Sequence, residues 1–182
     1  YYQTIISSNG VAGTQFLGAY RFGEFRTKNY TVAVGDIGAN MELLLNGVGI
    51  KGQYRFDKVN VSAIYTNRPQ AGNIQNNLNS LGASARYKSG ERWNTEVQLV
   101  NQDDEFNQVN RNLVTVGGDY RFPNNSTARI QLGYSQENHD TDRGAFTRPG
   151  FGLKANYTGK IKGVSVSSQL RYNTANFSSQ FR

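Results

Sequence analysis

Cysteine is absent from the sequence, and with it go disulfide staples, thiolate metal sites and thiol nucleophiles. Proline occurs three times in 182 residues, so few positions are barred from a hydrogen-bonded ladder. No window approaches the roughly 20 consecutive apolar residues of a membrane helix; that excludes helical spans and leaves a membrane protein built of strands open. The chain begins YYQTIISSNG, without the basic start and apolar stretch of a secretory leader. Histidine occurs once, at His139. No Gly-x-Ser-x-Gly elbow, P-loop or dinucleotide fingerprint is present, and the chain is expected to be neither an enzyme nor a carrier of a cofactor or metal.

Tyrosine (11), phenylalanine (10) and glycine (20) are plentiful, and Asn, Gln, Ser and Thr alternate with apolar residues. In Val48–Phe56, Val48, Ile50, Tyr54 and Phe56 fall on one side of a period-two pattern, with Gly49, Lys51, Gln53 and Arg55 on the other. Such alternation marks a strand with one apolar and one wet face. After a break at Asp57-Lys58 it resumes with Val59, Val61, Ala63 and Tyr65, as in a hairpin. The unit recurs: AYRFG, QYRFD and DYRFP repeat almost letter for letter, and the tyrosines at 20, 54, 87, 120 and 157 have a period near 33. Five bare hairpins give ten strands, and YYQTII could end an eleventh, all within one domain spanning 1–182.

Breaks after the tyrosines are short, whereas Asp36–Leu44, Asn67–Asn79, Gln102–Arg111 and Glu137–Pro149 are polar and are expected to be long loops. Short turns at one end and long loops at the other describe an antiparallel, up-and-down transmembrane β-barrel of the bacterial outer membrane, with the lipid bilayer as its partner. A soluble barrel would bury its apolar face. The opposite arrangement is favoured because the apolar face ends beside the turns in Tyr20, Phe22, Tyr54, Phe56, Tyr87, Trp93, Tyr120, Phe122 and Tyr157, as an interfacial aromatic belt would.

The net charge is +7. Arg21, Lys51, Arg55, Arg86, Lys88, Arg121, Arg129, Lys154 and Arg171 fall on the polar face, against Glu96 and Asp119, which makes a basic stripe along a lumen. Fixed positive charge there would concentrate anions. The other reading pairs these cations with acids on a folded-in loop or the wall, with Asp36, Glu42, Asp103, Asp104 and Glu105 as candidates. Nucleic acid is not expected as a partner. In Tyr-Arg-Phe on a strand the aromatics take one face and the arginine the other, so they cannot grip one base and its phosphate together. His139-Asp140, with Asp103-Asp104, faintly echoes outer-membrane proteases of the omptin kind. Asp140-x-Asp142-x-Gly144 holds part of a calcium-loop pattern without its closing glutamate.

The stretch VAVGDIGANMELLLNGVGIKGQYRFDKVNVSAIY resembles strand-loop-strand passages of general porins and of larger export barrels, including usher-like ones. The resemblance implies a barrel of the Gram-negative outer membrane and carries no functional residue across. An open sheet cannot stand in lipid, so closure is expected from the chain's own ends, further sequence or another chain. The function expected is a channel passing polar or anionic solutes or exported polymer. A plugged barrel serving as adhesion or assembly platform is the alternative, and an outer-membrane enzyme a weaker one.

Overall fold

The computed structural model describes residues 2–7, 20–70, 73–141, 144–161 and 163–177; the side chains of 2–7, 20, 21, 70, 73–76, 141 and 161 lie outside that description. Among the described residues there are eleven strands: β1 (Tyr2–Ser7), β2 (Tyr20–Arg26), β3 (Tyr30–Asn40), β4 (Leu44–Arg55), β5 (Val59–Gln70), β6 (Asn73–Ser89), β7 (Trp93–Asp104), β8 (Val109–Arg121), β9 (Thr127–Thr141), β10 (Gly144–Ile161) and β11 (Val164–Asn173). They form one antiparallel up-and-down sheet in sequence order, with β1 and β11 at its two edges.

Burial is inverted relative to a soluble protein. Leu132 is 56% exposed and its neighbour Gln131 only 4%; Val116 is 47% exposed and Thr115 only 1%. Among the described residues twenty-five large apolar or aromatic side chains are exposed and eight apolar ones are buried, so the apolar face cannot be a core turned toward water. It is the outer, lipid-facing surface of a curved wall whose concave face is polar. On that outer face Trp93 lies beside Tyr120 (centroids 4.8 Å apart), Tyr120 beside Phe122 (4.8 Å) and Phe122 beside Tyr157 (6.4 Å). Tyr54 packs edge-on to Phe56 at 4.4 Å, and Tyr87 is exposed.

Two sequence expectations fail. The four polar breaks are not long loops. β5 runs to Gln70 before β6 resumes at Asn73, β7 runs to Asp104 before β8 starts at Val109, and β9 runs to Thr141 before β10 starts at Gly144. Beyond the lipid both faces of a strand meet water, so period-two patterning disappears while the backbone ladder continues. Amide pairs take over the outer face there: Asn67 Nδ2 donates to Asn79 Oδ1 (2.7 Å) and Asn101 Nδ2 to Asn112 Oδ1 (2.9 Å). An Asx turn closes β7–β8, with Asp104 accepting from the Asn107 backbone N–H (3.0 Å) and from Asn107 Nδ2 (2.7 Å).

The second failure is Phe22. It opposes Gly35 across β2–β3 and packs against apolar residues on the concave face, away from the outer aromatics. QYRFD runs directly into its turn, whereas Glu24–Arg26 separate AYRFG from the turn at Thr27–Asn29. Phe56 and Thr27 hold the same place in their turns, each N–H donating to the carbonyl three residues on; Phe22 lies five residues before Thr27, an odd offset that reverses the facing. Tyr20 and Arg21 lie outside the described side chains.

Leu132→Arg, at the middle of the outer band, should cost about 2–4 kcal/mol of folding free energy, read by urea titration in lipid vesicles. Arginine tolerated there without loss would mean that this face does not contact lipid.

Candidate lumen site

The concave face carries most of the ionisable side chains, and strand register orders them in rows. One row crosses the wall as Arg55, Asn60, Arg86, Glu96, Gly117, Gln131, Lys154 and Arg171, each opposite the next. The next row toward the short turns runs Lys88, Asn94, Asp119, Arg129 and Asn156. Arg121, opposite Thr127, lies one step further, and Lys51, opposite Ile64, lies on the other side of the first row, beyond Gln53 and Ser62. Eight nominated basic residues therefore share this face.

They are partly neutralised by the wall itself. Glu96 accepts from Arg86 Nη2 at 2.7 Å, lies 3.7 Å from Arg129 Nη2 and takes a further bond from Gln98 Nε2 (3.1 Å). Asp119 accepts from Asn94 Nδ2 at 2.6 Å. Arg86 and Arg129, though both exposed, thus share one carboxylate. Lys51 donates to the Gly38 carbonyl at 3.4 Å, and Arg55 Nε donates to Asn60 Oδ1 at 3.1 Å.

Glu42 comes to this face by a route the sequence shows only obliquely. β2 pairs β3 up to Gly35, and β5 pairs β4 up to Val48. Residues 37–47 pair in the ladder only with one another, as a hairpin tongue with its tip at Met41–Leu43. Gly35 (φ 116°) and Gly47 (φ 150°) sit at its base, in backbone conformations open to glycine and poor for L side chains. The tongue bends over the concave face. The backbone N–H of Glu42 donates to Gln98 Oε1 on β7 (3.1 Å), and the Glu42 carboxylate accepts from Gln131 Nε2 on β9. Beneath it Ile37 and Leu45 pack with Ile64, Val100 and Leu113, joined by Met41, Leu43 and Phe177. Gly82 forms the socket: a Cβ there would come within 2.5 Å of Leu45 Cδ1 and 2.6 Å of Met41 Sδ.

Further ionisable residues on the concave face lie where the sequence suggested loops. Arg111 pairs with Glu137 (3.0 Å) and Asp104 (3.7 Å), and His139 Nε2 lies 3.2 Å from Glu137. The His139 ring stacks on Phe146, centroids 4.6 Å apart, and the Arg148 guanidinium lies 4.8 Å from that ring's centre. Successive residues of β9 face opposite ways, so His139 and Asp140 do not meet as a protease-like pair. The Asp142 of the partial calcium pattern lies outside the described residues. Arg111 and Glu137 were invisible as a pair because 26 residues separate them; only the ladder between β8 and β9 brings them opposite each other.

No family model and no curated protein sequence matches this chain. Solved structures do resemble it, among them structures of OmpT, an outer membrane protein of Vibrio cholerae. The loop L8 deletion mutant matches at 11% identity and TM-score 0.59 over 96% of this chain and 70% of that one. The in-vitro folded trimer form matches at 11% and 0.57 over 94% and 65%. A further structure of the in-vitro folded protein matches at 10% and 0.58 over 94% and 64%. The chain thus spans about two thirds of those proteins, and at such identity the likeness is one of fold. That fold is the antiparallel wall of an outer-membrane-type β-barrel, and the outward apolar band is the surface such a wall presents to lipid.

With no native cysteine to interfere, the double substitution Glu42→Cys/Gln131→Cys should be bridged by a short bifunctional methanethiosulfonate reagent, seen as a gel-mobility shift that reductant reverses. Adding Gly82→Phe should fill the socket, lift the tongue and abolish most of that cross-link. Equal cross-linking with and without Gly82→Phe would show that Gly82 does not seat the tongue.

Proposed function

We propose that the chain forms much of the wall of a diffusion channel for small polar and anionic solutes, narrowed by the tongue. The observation that carries this reading is the tongue's path. Residues 37–47 leave the wall at Gly35 and Gly47 and are fastened across the concave face at Gln98 and Gln131. A hairpin held there narrows the space over the wall, which favours small solutes over an exported polymer.

The charges set the preference. The wall rows are predominantly basic, while the tongue contributes Glu42. A solute passing between them meets positive charge on the wall and a carboxylate on the tongue. Interactions across a wet lumen are screened over about 8 Å at physiological salt, so the preference is expected to be moderate and to weaken at high salt. The open edges at β1 and β11 require cover in lipid; further barrel strands would supply it, in keeping with neighbours longer than this chain.

The complete barrel in planar bilayers should show steady conductance, with a zero-current potential displaced toward the anion potential in a KCl gradient. Glu96→Gln should displace it further by freeing Arg86 and Arg129. Deleting residues 38–45 and bridging with two glycines should raise conductance at least about twofold. Absence of conductance in the deletion variant as well would reject the channel and favour a plugged platform. Cation preference would reject the basic lumen.

A further inference from the structure

We infer that the concave face carries, beside the β2–β3 turn, a binding pocket for small sugar phosphates. The inference rests on the reading of this face as a wet lumen and adds a ligand class and a place to it. At the short-turn end the β2–β3 turn and β4–β7 enclose a cleft of about 440 Å³, within the size range of small-molecule sites. Four cations line it: Arg26, Lys28, Arg55 and Arg86. Two are already answered, Arg26 by Glu24 at 2.8 Å and Arg86 by Glu96 at 2.7 Å. Among the described residues Lys28 and Arg55 have no carboxylate partner.

Arg55 is the better placed of the two. Asn60 Oδ1 accepts from its Nε, which fixes the guanidinium plane and leaves its terminal nitrogens for an oxyanion. Guanidinium donors match phosphate oxygens in pairs, and an ammonium such as Lys28 supplies a second point charge. One phosphate monoester near −2 would neutralise both cations. The rest of the lining is suited to hydroxyl groups. Gln53 contributes an amide, and Ser62 and Ser84 are coupled hydroxyls 2.8 Å apart, either able to donate. A dicarboxylate would satisfy the cations and leave those groups without use. A neutral sugar would leave the cations unanswered.

Calorimetric titration of the complete barrel in detergent micelles tests this apart from conductance, with glucose 6-phosphate as probe and glucose and succinate as comparators. Saturable binding of glucose 6-phosphate is expected, at least tenfold tighter than either comparator. Lys28→Gln/Arg55→Gln should weaken it at least tenfold. Lys28→Glu, confined to an exposed turn, should weaken it in the same direction and guards against misfolding of the double variant, with the heat-dependent gel shift as the check on folding. Unsaturable binding, succinate binding as tightly, or affinity unchanged in both variants would overturn the pocket. Binding without conductance would sustain the pocket and reject the channel; conductance without binding would do the reverse.

Discussion

Everything in this molecule depends on one rule of apolar solvents: a backbone N–H or C=O facing hydrocarbon must find its partner within the protein. Among the described residues eleven strands, each hydrogen-bonded to its neighbour in sequence order, meet that demand. Once the ladder is continuous, the pleat assigns every side chain to one of two solvents. Val97, Leu99, Val116 and Leu132 go to lipid, and Gln98, Thr115 and Gln131 to the concave face. The inverted burial is therefore a consequence of the ladder and needs no separate packing force.

The same rule explains why the tongue is possible at all. Residues 37–47 leave the wall only above the point where β2 and β5 stop pairing with their neighbours, and they carry their own two-stranded pairing with them. Their side chains then do what a soluble core does. Ile37, Leu45 and Met41 gather with Ile64, Val100 and Leu113, apolar residues at concave positions that would otherwise face water. The tongue shields them, and the wall offers Gln98 and Gln131 as fasteners. Apolar contact and amide hydrogen bonds both depend on the tongue's lying over the wall.

The wall was largely legible and the tongue was not. Trp93 to Leu99 alternate cleanly because one side meets lipid and the other water, and that contrast is written in composition. Gln102–Asp104 and Asn110–Asn112 lost the contrast once both sides were wet, so strand ends read as loops. Phe22 was misplaced because a repeated motif carries letters without the count of residues to the turn. Glu42 was nominated as an acid able to fold inward, but its partners Gln98 and Gln131 are 56 and 89 residues away. No local pattern encodes such distances. The Arg111–Glu137 pair was hidden for the same reason: pairing between β8 and β9 had to be known first.

The tie from Glu42 to Gln131 also fixes an order of events. Each hairpin of the wall joins neighbours in sequence and can form as soon as its two strands exist. The tongue belongs to the third and fourth strands, yet its fastening point lies on the ninth. Contacts of such long separation close late, after shorter ones have shortened the effective loop. The fastening of the tongue is thus among the last contacts to close, and until then the concave face of the assembling sheet lies uncovered.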